Sequence, residues 1–260
     1  MREFSASRRR RITSATRRRD VAHSIDVATR ECVIRPRSSY AEEICGLVAV
    51  ARCDLETGIR NLSVAREVTR RYKSGFAEII LCAVDLFWER PHLVRLVFDN
   101  EPGDCPQNPW CVFQLMAGLA EGDREHVLRA VAFAERLPPD PLIGMCNFLG
   151  HAVRGAAVDA MGTLTPEVEA VLWQDLQNTE CVAAGFSLLG DGENIVKWLG
   201  RSVDLGMGYC TLTVHQHATW LPWLDHPRIA PLMSHRRAQA ARYAALPLAP
   251  RLAMLVADTR

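Results

Sequence analysis

The chain has 260 residues, of which 48% are hydrophobic and 23% are charged. These proportions are typical of a globular protein with one large domain or two small ones. No run of about 18 apolar residues occurs, so no membrane-spanning helix is predicted. The 16 Gly and 14 Pro residues are ordinary numbers for this length, which excludes a collagen-like chain and a wholly disordered one.

Basic residues are concentrated at the start of the chain. Residues 1–20 contain eight Arg against one Glu and one Asp, a net charge of +6, whereas the whole chain carries +1. Because like charges repel, residues 1–38 are predicted to form a disordered arm, with a short helix as the alternative. Contact with nucleic acid, a transit peptide and a solvated tail all remain open as its role. The arginines that would contact nucleic acid are Arg8, Arg9, Arg10, Arg11, Arg17, Arg18 and Arg19.

The nine cysteines show no regular spacing and no CxxC motif. Most of them lie inside apolar helical patterns, where a free Cys behaves as a small buried hydrophobe. A reducing, cytoplasmic environment is therefore predicted, with the thiols packed in the core. A disulfide between Cys105 and Cys111, on either side of a Pro-rich loop, is the alternative for that pair.

From residue 39 onward, apolar residues recur every three or four positions, which is typical of amphipathic helices. Thr165 and Pro166 match an N-cap and a first-turn proline. A loop is predicted at residues 100–109, where three prolines and a glycine interrupt the pattern. Strand-like alternation is confined to residues 209–217, so an all-α fold is predicted. The predicted helices cover 41–53, 59–71, 76–89, 91–98, 110–121, 123–137, 142–161, 166–178, 179–189 and 191–205.

Three stretches of the chain resemble one another when they are aligned. Asp54, Asp123 and Asp191 coincide in this alignment and lie 69 and 68 residues apart, about twice the 34-residue period of a helix–turn–helix repeat. Each Asp is predicted to cap the helix that follows it, because a carboxylate accepts the unpaired N–H groups of the first turn. The aligned stretches are 51–68, 120–137 and 188–205.

Small residues also recur at matching positions of these stretches, as in Ala65, Ala134 and Ser202, and they allow helices to approach closely. With these features the chain resembles the tetratricopeptide-repeat family. The resemblance implies a right-handed α-solenoid of antiparallel helix pairs over residues 39–206. The matching residues are Gly46, Gly58, Leu62 and Ala65 in the first unit, Ala134, Leu137 and Pro139 in the middle unit, and Val182, Ala183 and Phe186 in the last.

Residues 207–260 are predicted to form an extended cap followed by a C-terminal helix. The stretch 220–229 resembles the end of repeat arrays in bacterial signalling and transcriptional regulators, where the arrays follow kinase, cyclase or DNA-binding domains. No such domain precedes the repeats within these 260 residues. A fragment of a larger regulator is therefore one alternative.

Two groups of residues have side chains of the types found in metal sites or catalytic sites. Cys210, His215, His217 and His226 could bind a metal, but their spacing matches no standard zinc pattern and favours an apolar capping segment. His151 with Asp159 and Glu167 could act in acid–base catalysis, although only their residue types support it. No catalytic residue, cofactor or metal is predicted.

The predicted function is non-catalytic. The first helix of each pair would line a concave groove that binds a peptide or helix of another protein. Alternatives are a nucleic-acid-associated regulator that uses the Arg-rich arm, and a helical enzyme with an unrecognised site. The residues predicted to contact the partner are Arg52, Asp85, Glu89, Gln114 and His151.

Overall fold

A computed structural model describes residues 107–205 and 219–235, together with the positions 46, 58, 60, 61 and 238. The chain divides into two compact units, and the two continuous ranges belong to the unit formed by residues 85–205 and 210–237. The helices predicted before residue 99 lie outside the described residues, except that positions 46, 58, 60 and 61 are helical. The alternation at 209–217 also lies outside them.

Seven α-helices and a 3₁₀ turn make up this part of the chain, which contains no strand between residues 107 and 205 or between 219 and 235. The prediction of an all-α fold is confirmed for these residues. Residues 230–235, which follow the 3₁₀ turn, are also helical. The elements are α1 (Gln107–Glu121), α2 (Arg124–Ala134), α3 (Pro141–Arg154), α4 (Ala157–Thr163), α5 (Pro166–Leu172), α6 (Leu176–Leu189), α7 (Gly192–Leu205) and the 3₁₀ turn Leu221–Trp223.

The aspartates of the aligned stretches begin helices as predicted. The Asp123 carboxylate accepts a hydrogen bond from the His126 backbone N–H at 2.9 Å, at the start of α2. The Asp191 carboxylate accepts from the backbone N–H of Asn194 at 3.1 Å and from its side-chain amide at 2.7 Å, at the start of α7. Asp54, the third aligned aspartate, lies outside the described residues.

Side-chain caps also begin α3, α5 and α6. Asp140 accepts from the backbone N–H of Ile143 at 3.0 Å, and Asp175 accepts from that of Asn178 at 3.2 Å. Thr165 caps α5 with Pro166 in its first turn, which confirms the predicted start of that helix. Each cap satisfies one of the N–H groups that the first turn of a helix leaves unpaired.

One turn occurs three times in the described residues. Gly122, Gly155 and Gly190 have φ angles of 70°, 73° and 72°, and they lie 33 and 35 residues apart. Each donates its N–H to the carbonyl three residues earlier, and the next residue donates to the carbonyl five residues earlier. This is the glycine-terminated cap of a helix, in which a left-handed residue favours Gly. Two helices, α2 and α3, lie between the first two turns, whereas three helices, α4, α5 and α6, lie between the last two.

Three predicted boundaries are wrong. The predicted helix 142–161 ends at Arg154, because Gly155 reverses the chain before α4. The predicted boundary between 178 and 179 lies at residues 173–175 instead, where Asp175 caps α6. Residues 107–109, predicted to be loop, form the first turn of α1.

Helix α3 lies at the centre of the described unit, in contact with α1, α2, α4, α5 and α6. Two glycines allow the close approach of its neighbours. A Cβ at Gly150 of α3 would lie 2.7 Å from Val131 of α2, and one at Gly185 of α6 would lie 2.2 Å from the ring of Phe148. The helical hairpins α1–α2 and α6–α7 make the other extensive contacts. Close packing around α3 therefore joins the two hairpins into one core.

Candidate functional site

A segment from the C-terminal part of the chain, residues 219–229, docks on the ends of two hairpins; we call it the docked segment. The Thr219 hydroxyl donates to the backbone carbonyl of Leu119, in the last turns of α1, at 3.4 Å. The Thr219 carbonyl accepts a hydrogen bond of 2.6 Å from the Ser187 hydroxyl, in the last turn of α6. Because α1 and α6 both pack against α3, Thr219 adds a second link between these two helices.

The docked segment is anchored by apolar side chains. Trp220 is 1% exposed, and Ile229 at the other end of the segment is fully buried. Met233, one turn beyond Ile229 in the helix that follows, is also buried. A buried tryptophan removes a large apolar area from water, so these anchors supply most of the stability of docking.

The middle of the docked segment contacts the first turn of α7. A Cβ at Gly192 would lie 3.2 Å from the Trp223 ring, so the absence of a side chain there lets the indole approach the helix backbone. The rings of Trp223 and His226 lie 5.6 Å apart, centroid to centroid. Arg228 forms an ion pair with Glu193 of α7, and both side chains are largely exposed. Exposed ion pairs contribute little free energy, so this one mainly sets orientation.

Two of the residues predicted to line a groove, Gln114 and His151, lie in the part of the chain that the structure describes. Gln114 on α1 is only 3% exposed, and its side-chain oxygen lies 2.6 Å from Nε2 of His126 on α2. His151 is half-buried in the last turn of α3. Three other predicted groove residues, Arg52, Asp85 and Glu89, lie outside the described residues, as do the arginines of the N-terminal arm.

The helices that would line such a groove are themselves largely enclosed. Residues 111–119 of α1 are all buried, and so are residues 179–186 of α6. A helix that is buried on every side belongs to a core and presents no apolar stripe to a ligand. Residues 111–119 and 179–186 therefore offer no exposed face to a ligand.

Each of the central helices carries one buried cysteine: Cys111 on α1, Cys146 on α3 and Cys181 on α6. Burial raises the pKa of the Cys111 thiol to about 12. Burial, and then the neighbouring thiols of Cys111 and Cys181, raise the pKa of Cys146 well above its usual value, and burial also raises that of Cys181. Protonated, enclosed thiols are poor nucleophiles and poor metal ligands, so these residues serve the core.

The three residues considered as an acid–base catalytic group lie on three different helices. His151 is on α3, Asp159 is exposed on α4, and Glu167 is exposed on α5. The pKa of Glu167 is lowered, because its carboxylate accepts from its own backbone N–H and from the Thr165 hydroxyl. Residues 107–205 and 219–235 hold no group of His, Cys, Asp and Glu that could bind a metal ion. Of the residues weighed as a metal site, Cys210, His215 and His217 lie outside the described ranges.

A cluster of aromatic and cationic side chains connects α5 with α7. Trp173 and Trp198 meet edge to face with their centroids 4.9 Å apart, and the Lys197 ammonium lies 5.4 Å from the Trp173 ring. The Lys197 ammonium also pairs with Glu169 at 2.6 Å. Arg201 lies over the Trp173 ring and donates from Nε to the Trp173 carbonyl at 2.9 Å. These contacts hold the end of α5 on α7.

Sequence reasoning did not identify Thr219 as a residue that builds this surface. The partners of Thr219 are 100 and 32 residues away in the chain, and no local pattern indicates such pairs. The sequence did predict that Trp220 and Trp223 belong to a capping segment.

Comparison of the chain with protein-family models, with curated proteins and with solved structures finds no match. Among the helices that the structure describes, none combines the length and the apolar character that crossing a membrane would need.

Proposed function

We propose that the chain is a non-catalytic protein-interaction module that binds a peptide or helix of another protein. In this proposal its helix pairs stack as a right-handed α-solenoid similar to tetratricopeptide-repeat proteins. Support for the stacking comes from the glycine turns at Gly122, Gly155 and Gly190, which recur at 33 and 35 residues. Support also comes from α3, which contacts helices of the hairpins on both sides of it.

The observation that carries the proposed binding function is the docked segment. A stretch of chain with a buried tryptophan already lies on the ends of α1 and α6, where Thr219 donates one hydrogen bond to Leu119 and accepts one from Ser187. Peptides bind proteins through the same combination of apolar anchors and backbone hydrogen bonds. We place the partner at this edge, next to the docked segment, because residues 111–119 and 179–186 are enclosed. Of the predicted contact residues that the structure describes, His151 is not enclosed, because it is half-buried in the last turn of α3.

Selection from a displayed library of random 15-residue peptides, with the full chain as bait, tests this proposal. Enriched peptides are then synthesised and titrated against the full chain by calorimetry. We expect dissociation constants of about 1–100 µM, and we expect His151→Ala to weaken binding about tenfold. Arg129→Ala is the control, because Arg129 is exposed on α2, where it pairs with Glu125 of its own helix. Failure of the selection to enrich any peptide that binds would overturn the proposal.

A nucleic-acid-associated regulator is the second candidate, and the specific observation that favours it is the net charge of +6 on residues 1–20. Arginines that neutralise phosphates release counterions, so affinity should fall steeply as salt rises. Fluorescence anisotropy with labelled duplex DNA and with single-stranded RNA, on the full chain and on a variant lacking residues 1–19, tests this candidate. Equal affinity of the two proteins would eliminate it.

A further inference from the structure

Exposed apolar side chains are concentrated on α4 and α5. Val158 and Met161, on one face of α4, are 86% and 49% exposed, and Val171 of α5 is 50% exposed. Both helices pack against α3, and each buries one apolar residue, Ala160 in α4 and Leu172 in α5. The exposed side chains therefore lie on the sides of α4 and α5 that face away from α3. Clusters of this kind on a soluble protein mark interaction surfaces.

The same two helices lie in an acidic part of the chain. Residues 155–178 contain Asp159, Glu167, Glu169 and Asp175, and they contain no Lys, Arg or His. Glu169 pairs with Lys197, and Asp175 caps α6, so these two carboxylates already serve the fold. Asp159 and Glu167 are exposed; Asp159 directly follows Val158 in α4, and Glu167 lies one helical turn before Val171 in α5. The hydrogen bonds that Glu167 accepts lower its pKa and keep it ionised in mildly acidic solution.

We propose that this acidic apolar face, formed by Val158, Asp159, Met161, Glu167 and Val171, binds a basic amphipathic helix of another protein. Burial of the three apolar side chains supplies the affinity, because apolar area is removed from water. The two carboxylates select a cationic partner and speed its association, since opposite charges attract and an acidic partner is repelled. The face lies on α4 and α5, whereas the docked segment contacts α1, α6 and α7, so this site is separate from the one proposed above.

The probe for this site is a labelled synthetic 20-residue peptide with Leu on one helical face and Lys on the other. Its binding to the full chain is followed by fluorescence anisotropy. We expect the double variant Val158→Ser/Met161→Ser to bind about tenfold more weakly than the wild type. Ala132→Ser, at an exposed position of α2, is the control and should leave binding unchanged. Circular dichroism confirms that each variant is folded.

Charge is tested separately with Asp159→Asn/Glu167→Gln, which keeps the size of both side chains. This variant should bind several-fold more weakly at low salt, and the difference should shrink as salt screens the charges. Three results would overturn the proposal: undetectable binding to the wild type, equal binding of a scrambled peptide of the same composition, or wild-type affinity in the Val158→Ser/Met161→Ser variant. A wild-type dimer that this double variant converts to a monomer would also overturn it, because a second copy would then be the occupant.

Discussion

Gly185 of α6 lies against the ring of Phe148 of α3 so closely that a Cβ there would be 2.2 Å from Cε1 of the ring. The Phe148 ring in turn contacts Phe186, with 5.0 Å between the ring centroids. The contact of α6 with the central helix therefore depends on the absence of a side chain at residue 185. Val131 and Gly150 make a similar contact between α2 and α3.

Replacement of Gly185 by Ala should destabilise the fold, because the Phe148 ring must move out of a packed core. We expect the free energy of unfolding to fall by about 1–3 kcal/mol, the usual cost of overpacking. Urea denaturation followed by circular dichroism measures the change. Gly200→Ala is the control, since nothing lies within 4 Å of its Cβ position inside α7. That variant should gain up to about 1 kcal/mol from helix propensity, and equal effects of the two variants would contradict the packing argument.

Gly155 and Gly162 provide a second matched pair on either end of α4. Gly155 has a φ of 73°, and nothing crowds its Cβ position, so Gly155→Ala tests backbone conformation alone. We expect a loss of about 1–2 kcal/mol, because the left-handed region is unfavourable for Ala. Gly162 is helical with open space around it, so Gly162→Ala should be neutral or stabilising. Thermal and urea unfolding compare the two, and a stabilising Gly155→Ala would show that the turn tolerates another conformation.

The two equivalent caps should respond alike to truncation. Asp123→Ala and Asp191→Ala each remove a carboxylate that accepts from a first-turn N–H, at 2.9 and 3.1 Å. We expect a loss of about 1 kcal/mol in each case, with Asn at either position restoring most of it. Asp191 also accepts from the Asn194 side chain, so its loss should be the larger. Unfolding free energies that show no loss for either Ala variant would contradict the capping role.

Stability should fall in alkaline solution. The buried thiols of Cys111, Cys146 and Cys181 have raised pKa values, about 12 for Cys111, whereas an unfolded thiol ionises near pH 8.5. The folded state therefore retains protons that the unfolded state releases. The resulting stability is complete below about pH 8.5 and is lost progressively as the pH rises toward 12.

Urea midpoints measured at pH 7.5, 9 and 10 test this dependence. Cys146→Ala should lower stability at every pH because it leaves a cavity, but its stability should fall less steeply with pH than that of the wild type. Slow reaction of the three thiols with a thiol reagent in native protein provides an independent check. Identical pH slopes for the two proteins would contradict the assignment.

Local signals account for the parts of the fold that the sequence predicts well. Asp123 and Asp191 were recognised as helix starts because a cap needs only residues within one turn of it. The break at Gly155 was missed, because small and apolar residues continue on both sides of it and a single Gly costs a helix only about 1 kcal/mol. The left-handed conformation of Gly155 and the hydrogen bonds of its turn end α3 at that point.

The candidate site was harder to predict. Gln114 was placed in a groove from its helix position alone, although residues 111–119 contain no other polar side chain, a composition typical of an enclosed helix. A lone polar residue in such a helix is expected to find a partner inside, as Gln114 does with His126. The contacts of Thr219 depend on residues far away in the chain, which periodicity cannot reveal.

Because Thr219 forms hydrogen bonds with both Leu119 and Ser187, it links the α1–α2 hairpin to the α6–α7 hairpin in addition to the contacts that both make with α3. In open repeat arrays, terminal units can fray one at a time. Here neither the α1–α2 hairpin nor the α6–α7 hairpin can detach without breaking the tie at residue 219. The backbone amides of α1 and α6 should therefore exchange their hydrogens at similarly slow rates in the native protein. During synthesis, this protection can be complete only after residue 219 has left the ribosome.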